Sequence, residues 1–249
     1  MNIIEFGKKD APVIVLLHGG GLSWWNYREE AELLQENYHV LLPVLDGHAG
    51  SDRDFAGIED NAAEIIRYID EKQNGSVLMI GGLSLGAQIL TEILSVRPEI
   101  CRTALIESAL VIPMKFTGML VQPMTAASYG LISKKWFARL QFHALGMKEE
   151  YFEDYYRDSV KITEKNLISI LKANSVYRLK NSAENTAASV HIVVGQKESK
   201  KMIRSAELLR EHFPDSSLEI LPDMFHGEFS LNHAGQYVQK IRELLGSFD

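Results

Sequence analysis

Cysteine is nearly absent from this chain: Cys101 is the only one among 249 residues. A lone cysteine excludes an internal disulfide and a zinc site built from several thiolates. Nothing beside Cys101 would activate a thiol, so it reads as structural. An excess of positive charge is lacking too, with 26 Lys and Arg against 33 Asp and Glu and a net charge of −7. That balance argues against nucleic acid and against an anionic membrane as partners. The acidic residues are spread along the chain, where they serve solubility. No apolar run approaches the roughly 18 residues that span a bilayer, and Met1 to Asp10 hold no apolar stretch like that of a secretory leader. Repeats and low-complexity tracts are missing. These absences point to a soluble, cytoplasmic protein.

What is present is an ordinary globular composition, 46% apolar and 24% charged, in a chain long enough for one large domain or one domain with an insertion. Such a chain can bury a sizeable core without disulfide or metal. Short apolar runs alternate with amphipathic stretches. Val13 to Leu17, Val40 to Leu45, Ser76 to Ile80 and Thr103 to Ile106 read as strands. Trp25 to Glu36, Ala56 to Lys72 and Ala87 to Val96 read as helices; in the second, Ile58, Ala62, Ile65, Ile66 and Ile69 share one face. Strands that are apolar throughout and alternate with helices imply a parallel sheet covered on both faces. The pattern breaks from Pro113 to about Ser182, where only helices are indicated, near Lys134 to Leu145, Glu149 to Val160 and Glu164 to Lys172. It resumes with strands at Val190 to Val194 and Leu218 to Leu221 and helices at Met202 to Phe213 and Gly235 to Ser247. The expected fold class is α/β: a doubly wound, mostly parallel sheet made by residues 1–112 and 183–249, with 113–182 as a helical insertion.

Gly82-Leu83-Ser84-Leu85-Gly86 is a G-x-S-x-G sequence between an apolar strand and a helix. A sharp strand-to-helix turn strains its central residue, and flanking glycines let neighbouring chain approach. The Ser84 hydroxyl is then presented at the carboxyl end of a strand, where open α/β sheets bind ligands. The competing reading is a glycine-rich turn with an incidental serine. A serine nucleophile needs a base, and the base needs an orienting carboxylate. His226 lies in a loop after the last strand, followed by Gly227. His39 and His191 stand at strand starts, at the wrong end of the sheet. His143 is in the insertion, His212 is on a helix, and His233 adjoins the last helix. For the acid, Glu198 follows the penultimate strand in Gly195-Gln196-Lys197-Glu198; Glu107, at the end of an earlier strand, and Asp223 are rivals. Two N–H donors for an oxyanion are expected at Leu85, which follows the nucleophile, and at Gly20 in His18-Gly19-Gly20-Gly21.

Together these segments resemble the α/β-hydrolase fold family, in its branch of small cap-bearing serine esterases and related hydrolases. His18-Gly19-Gly20-Gly21 resembles the family's oxyanion turn, and Gly82 to Gly86 its nucleophile elbow. Gly47-His48-Ala49-Gly50-Ser51 resembles its Asp-x-x-Gly-His-Gly-x-Ser loop, with Val44 where the aspartate is usual and Ala49 in place of a glycine. Gly195 to Glu198 resembles the Gly-x-x-Asp acid loop, with glutamate for aspartate, and the stretch to His226 its histidine loop. Only Asn2 to Phe6 precedes Val13, so one edge strand of the family is expected to be missing.

The resemblance implies that the insertion follows the sixth family strand and forms a lid over Ser84. It contains Met114, Phe116, Met119, Met124, Trp136, Phe137, Met147 and Tyr151. Such residues make adaptable apolar surfaces, although most are expected to pack the insertion onto the core. The implied function is hydrolysis of carboxylic ester or thioester bonds in small, partly hydrophobic molecules through an acyl-enzyme. Neither metal nor organic cofactor is implied. The same triad would also serve C–C bond or lactone hydrolysis, or persist in a ligand sensor with little turnover. Dehalogenase and epoxide hydrolase chemistry is disfavoured, because relatives with those activities carry aspartate at the Ser84 position.

Overall fold

The computed structural model describes residues 1–246, leaving aside the side chains of 115–118. The chain opens with β1 (Ile3–Phe6), β2 (Val13–Leu17), α1 (Arg28–Leu34), β3 (His39–Pro43) and α2 (Ile58–Lys72). It continues through β4 (Val77–Leu83), α3 (Leu85–Val96) and β5 (Cys101–Glu107). Four helices follow: α4 (Lys115–Ile132), α5 (Lys135–Ala144), α6 (Phe152–Ser159) and α7 (Glu164–Val176). The strand and helix alternation then returns with β6 (Ser189–Gly195), α8 (Lys200–His212), β7 (Ser216–Leu221), α9 (Glu228–Asn232) and α10 (Ala234–Gly246).

The seven strands form one sheet in the order β1-β3-β2-β4-β5-β6-β7. Only β1 is antiparallel, pairing with β3; every other pair is parallel. From β2 the chain winds first to β3 on one side and later to β4 on the other. The carboxyl ends of β2 and β4 therefore flank the switch point, where open α/β sheets leave a crevice.

The central strands are apolar on both faces because both faces are covered. Val15, Leu17, Ile80 and Ile106 pack with α2, α3 and α8, while Ile14, Leu16, Met79 and Leu105 pack with α1 and α10. The alternation is that of a strand, whose successive side chains point to opposite faces. Cys101 begins β5 and is buried, and burial pushes its thiol up to about 12, as fits a structural residue. No helix among the described residues is long and apolar enough to cross a membrane.

The helices between β5 and β6 are anchored to the core. Phe142 of α5 and Phe152 of α6 join one core cluster, and Ile170 of α7 joins the other. Trp25 is fully buried, its Nε1–H donates to Asp158 Oδ2 on α6 at 2.9 Å, and its ring stacks on Tyr151 at 5.9 Å. α4 has no counterpart in the sequence reading. It carries Pro123 inside it, and with Gly118 and Gly130 it lacks the apolar stripe that marks an amphipathic helix. The apolar residues expected to pack this stretch onto the core divide. Met119, Met124 and Trp136 are exposed, whereas Met147 and Tyr151 are buried. The Phe116 side chain lies outside those described.

Trp25 joins the segment after β2 to α6, so its removal should open a cavity and take one donor from the Asp158 carboxylate, which keeps Arg157 as partner. Trp25→Ala is expected to cost about 3–5 kcal/mol of stability, measured by urea denaturation. A loss below about 1 kcal/mol would show that this anchor carries little load.

Candidate active site

Ser84 stands between β4 and α3 at φ 52° and ψ −108°, a backbone conformation that costs a residue with a side chain on the order of 1–3 kcal/mol. The turn is this tight because its two glycines have no room for a side chain. A Cβ on Gly86 would fall 2.1 Å from the Leu17 carbonyl oxygen, and one on Gly82 would fall 2.6 Å from the Gly86 backbone. The Ser84 N–H donates to the Glu107 carbonyl at 2.9 Å, which fixes the elbow to β5. Ser84 also precedes the first residue of α3, where unpaired N–H groups and the helix dipole favour negative charge.

From this elbow a continuous hydrogen-bonded chain runs across the sheet end. The Ser84 Oγ lies 3.0 Å from His226 Nε2, and His226 Nδ1 lies 2.7 Å from Glu198 Oε2. With Nδ1–H donating to the carboxylate, Nε2 is left to accept from the serine hydroxyl. The other Glu198 oxygen, Oε1, accepts from Ser108 Oγ at 2.6 Å and from the Gly195 N–H at 2.9 Å. Burial alone would push the Glu198 carboxyl up; the bonds from His226, Ser108 and Gly195 outweigh it and hold the group below the usual carboxylate range. The two loops are also tied to each other, since the Lys197 N–H donates to the Met224 carbonyl at 2.9 Å.

The rivals take other places. Glu107 is buried, its Oε1 accepts the Ser230 N–H at 3.3 Å, and burial pushes its carboxyl up to about 7. It therefore braces α9, the helix just after His226, from inside the core. Asp223 is exposed and pairs with Lys197 at 3.1 Å. His39 pairs with Glu5 at 3.0 Å, and His212 bonds the Lys180 carbonyl at 3.1 Å. His191 lies 2.8 Å from Ser217 Oγ, and His233 lies 3.7 Å from Glu228. His143 lines the cleft in front of Ser84.

The glycine turn after β2 is held by His18 and His48, both in motifs quoted from the sequence, and by Asn26, which the sequence reading did not single out. The Gly19 N–H donates to Asn26 Oδ1 at 3.2 Å, and the Gly21 N–H donates to His48 Nε2 at 3.1 Å. The Gly20 N–H between them has no partner among the described residues. A Cβ on Gly20 would sit 3.6 Å from the Leu85 side chain, so the turn lies against the start of α3. His18 lies edge-on to His48, accepts the Leu45 N–H at 3.1 Å and donates to the Gly19 carbonyl at 2.9 Å. Both imidazoles are fully buried, and burial drives their pKa values down, that of His48 to about 4. Both must be neutral to accept these N–H groups. The His18-Gly19 and Gly47-His48 motifs are the one sequence signal for this support; Ser108 and Asn26 leave none.

The hydrogen-bonded chain of Ser84, His226 and Glu198 opens on a cleft of about 770 Å³. Leu110, Met114, Leu145, Met202 and Phe225 give it apolar walls, and Asn174 and Glu228 are among its polar groups. Met114, Leu145 and Asn174 belong to the stretch between β5 and β6, so that stretch supplies part of the wall facing Ser84.

A model of the alpha/beta hydrolase family matches residues 14–235, and the chain belongs to that family. Among curated proteins, the magnesium-chelatase 30 kDa subunit of Rhodobacter capsulatus is 29% identical over 136 residues, 50% of this chain and 47% of that protein. An AB hydrolase superfamily protein of Gibberella zeae is 31% identical over 137 residues, 52% of this chain and 45% of the other. The chain thus matches less than half the length of these relatives. Solved structures align over almost all of it. A thermophilic esterase from Thermogutta terrifontis superposes with a TM-score of 0.80 at 15% identity, over 99% of this chain and 93% of that one. An esterase from Exiguobacterium antarcticum superposes with a TM-score of 0.82 at 17% identity, over 98% and 94%. At such identities the likeness is one of fold.

The buried histidines make stability depend on pH. The unfolded chain protonates His48 below about pH 6.5, while the folded chain holds it neutral down to about pH 4. Stability is therefore fully present above pH 6.5 and is lost as pH falls through that window, by about 3 kcal/mol for His48 alone. His18 acts in the same direction. Thermal midpoints measured across this window should fall steeply, and less steeply in His48→Gln, which keeps an acceptor for Gly21 but does not titrate. Equal slopes would remove His48 from this role.

Proposed function

We propose that the chain is a serine hydrolase that cleaves carboxylic ester or thioester bonds in small, partly hydrophobic molecules. The observation that carries this reading is the unbroken Ser84–His226–Glu198 hydrogen-bond chain at the mouth of an apolar-walled cleft. In it, Ser84 Oγ attacks the acyl carbonyl carbon as His226 Nε2 takes the hydroxyl proton. Glu198 keeps Nδ1 protonated and stabilises the imidazolium without taking its proton. The carbonyl oxygen becomes an oxyanion, and the Gly20 and Leu85 N–H groups are its donors, reinforced by the start of α3. As the tetrahedral adduct collapses, the C–O or C–S bond breaks and His226 returns the proton to the leaving group. A water, deprotonated by His226, then attacks the acyl-serine and releases the acid. The helices between β5 and β6 act as a cap: through Met114, Leu145 and Asn174 they shape the acyl site. The arrangement requires no metal or cofactor for these steps.

A fluorophosphonate probe together with short p-nitrophenyl esters tests the assignment. Ser84→Ala should lose all covalent labelling while keeping the parent's thermal midpoint; labelling that persists at another serine would sink it. Glu198→Gln should retain substrate affinity but lower kcat by roughly 10⁴-fold, with a far smaller effect from Glu107→Gln. The reverse order of losses would transfer the acid role to Glu107.

A further inference from the structure

The cleft at Ser84 has a neighbour. Met114 lines it and also lines a second cavity, of about 670 Å³. α8 runs past both: Met202 faces the first, while Lys201, Leu208 and His212 face the second. At 1.5 Å per residue, Met202 and His212 are about 15 Å apart along the axis, so the second cavity leads away from Ser84 along this helix. Its floor is apolar, with Val111, Ile112 and Pro113. Its wall carries Arg178 and Lys201, and no carboxylate lines it.

What sets these two cations apart is their shared cavity, whose lining holds no carboxylate among the described residues. Two other lysines in the region are paired, Lys180 with Glu92 and Lys197 with Asp223. Arg178 and Lys201 form no ion pair among the described residues. Arg178 also borders a groove containing Glu59, without pairing to it. His212 is occupied with the carbonyls of Lys180 and Asn181, at 3.1 and 3.2 Å, and serves as wall.

We propose that this second cavity is a subsite for an anionic group, a carboxylate or a phosphate monoester, at the far end of the substrate arm whose ester or thioester lies at Ser84. This deepens the hydrolase reading and rests on it. The arm's hydrocarbon covers Val111, Ile112 and Leu208. Arg178 offers its planar fork to two oxygens of the anion, and Lys201 adds a point charge. Both cations are exposed, so their attraction weakens as salt is added. Because the anion is remote from the reacting carbonyl, its contacts are made equally in the ground and transition states and act through KM.

The test is steady-state kinetics of the full chain on p-nitrophenyl esters of ω-carboxy acids of increasing length. Matched neutral alkanoates and the ω-phosphate acyl esters are run beside them. At one chain length the carboxy or the phosphate ester should show KM about tenfold below its neutral match, and which of the two gains more identifies the anion. The Arg178→Gln, Lys201→Gln double variant should erase that ratio, and added salt should shrink it. A neutral ester that binds as well as the anionic one at every length, or a ratio unmoved in the double variant, would overturn the subsite. Should the parent neither turn over esters nor take the fluorophosphonate label, the hydrolase reading fails on its own. Calorimetric titration of free alkyl monocarboxylates and alkyl phosphates against neutral primary amides of the same length, on the parent and the double variant, then decides the anion site without turnover. Tighter binding of the anion that the double variant loses supports the site, and binding equal to the amide, or unmoved in the double variant, overturns it.

Discussion

The backbone of Gly86 rests against the carbonyl of Leu17 so closely that even one Cβ would fall 2.1 Å from it. That approach lets α3 start immediately beyond β4, with Ser84 alone making the turn at φ 52°. It also brings the ends of β2 and β4, paired through Leu17 and Gly82, to the switch point of the sheet. The glycine turn and Ser84 thus become neighbours because two adjacent strands end together and the chain leaves them in opposite directions. The strain at Ser84 is held by what surrounds it: the bond to the Glu107 carbonyl, the fully buried Leu85 and the packing of α3 into the core.

Around this fixed point, two sets of buried groups do different work. His18 and His48 are kept neutral by burial and use ring nitrogens as acceptors, His48 for the Gly21 N–H and His18 for the Leu45 N–H, while His18 also holds the Gly19 carbonyl. Glu107 and Ser108, consecutive at the end of β5, divide between them the support of the helix after His226 and of Glu198. Glu107 braces the helix after His226, and Ser108 donates to Glu198. Glu198 is held at both oxygens, one toward His226 and the other by two donors, Ser108 and the Gly195 N–H.

The sheet was legible in the sequence because its central strands are apolar on both faces; Val13–Leu17 carries its limits in its composition. Ser84, His226 and Glu198 could be proposed because each sits where a strand gives way to a loop or helix, and the glycines around them mark those turns. The legible part ends where chemistry is carried by single residues without periodicity. Ser108 and Asn26 are ordinary polar residues whose partners lie 90 and 7 positions away. α4 escaped for a related reason: Pro123 interrupts it and it buries little, with Val121 and Thr125 among its few buried side chains. The exposure of Met119, Met124 and Trp136 is equally absent from any pattern, since only the placement of α4 and α5 decides which of their side chains meet the core.

β7 lies at the edge of the sheet, hydrogen-bonded to β6 alone, and much of it is exposed, including Ile220 at 44%. The loop that carries His226 hangs from this strand, whereas Ser84 sits on a central one. Edge elements open at lower free energy than the core they border. Opening of this edge would therefore separate His226 from Ser84 while β2, β4 and β5 stay paired, leaving a state that is folded by spectroscopic measures and, on the proposed function, silent as a catalyst. Heat inactivation would then report the fraying of one peripheral strand, and re-annealing of that strand on cooling would restore turnover without refolding of the whole.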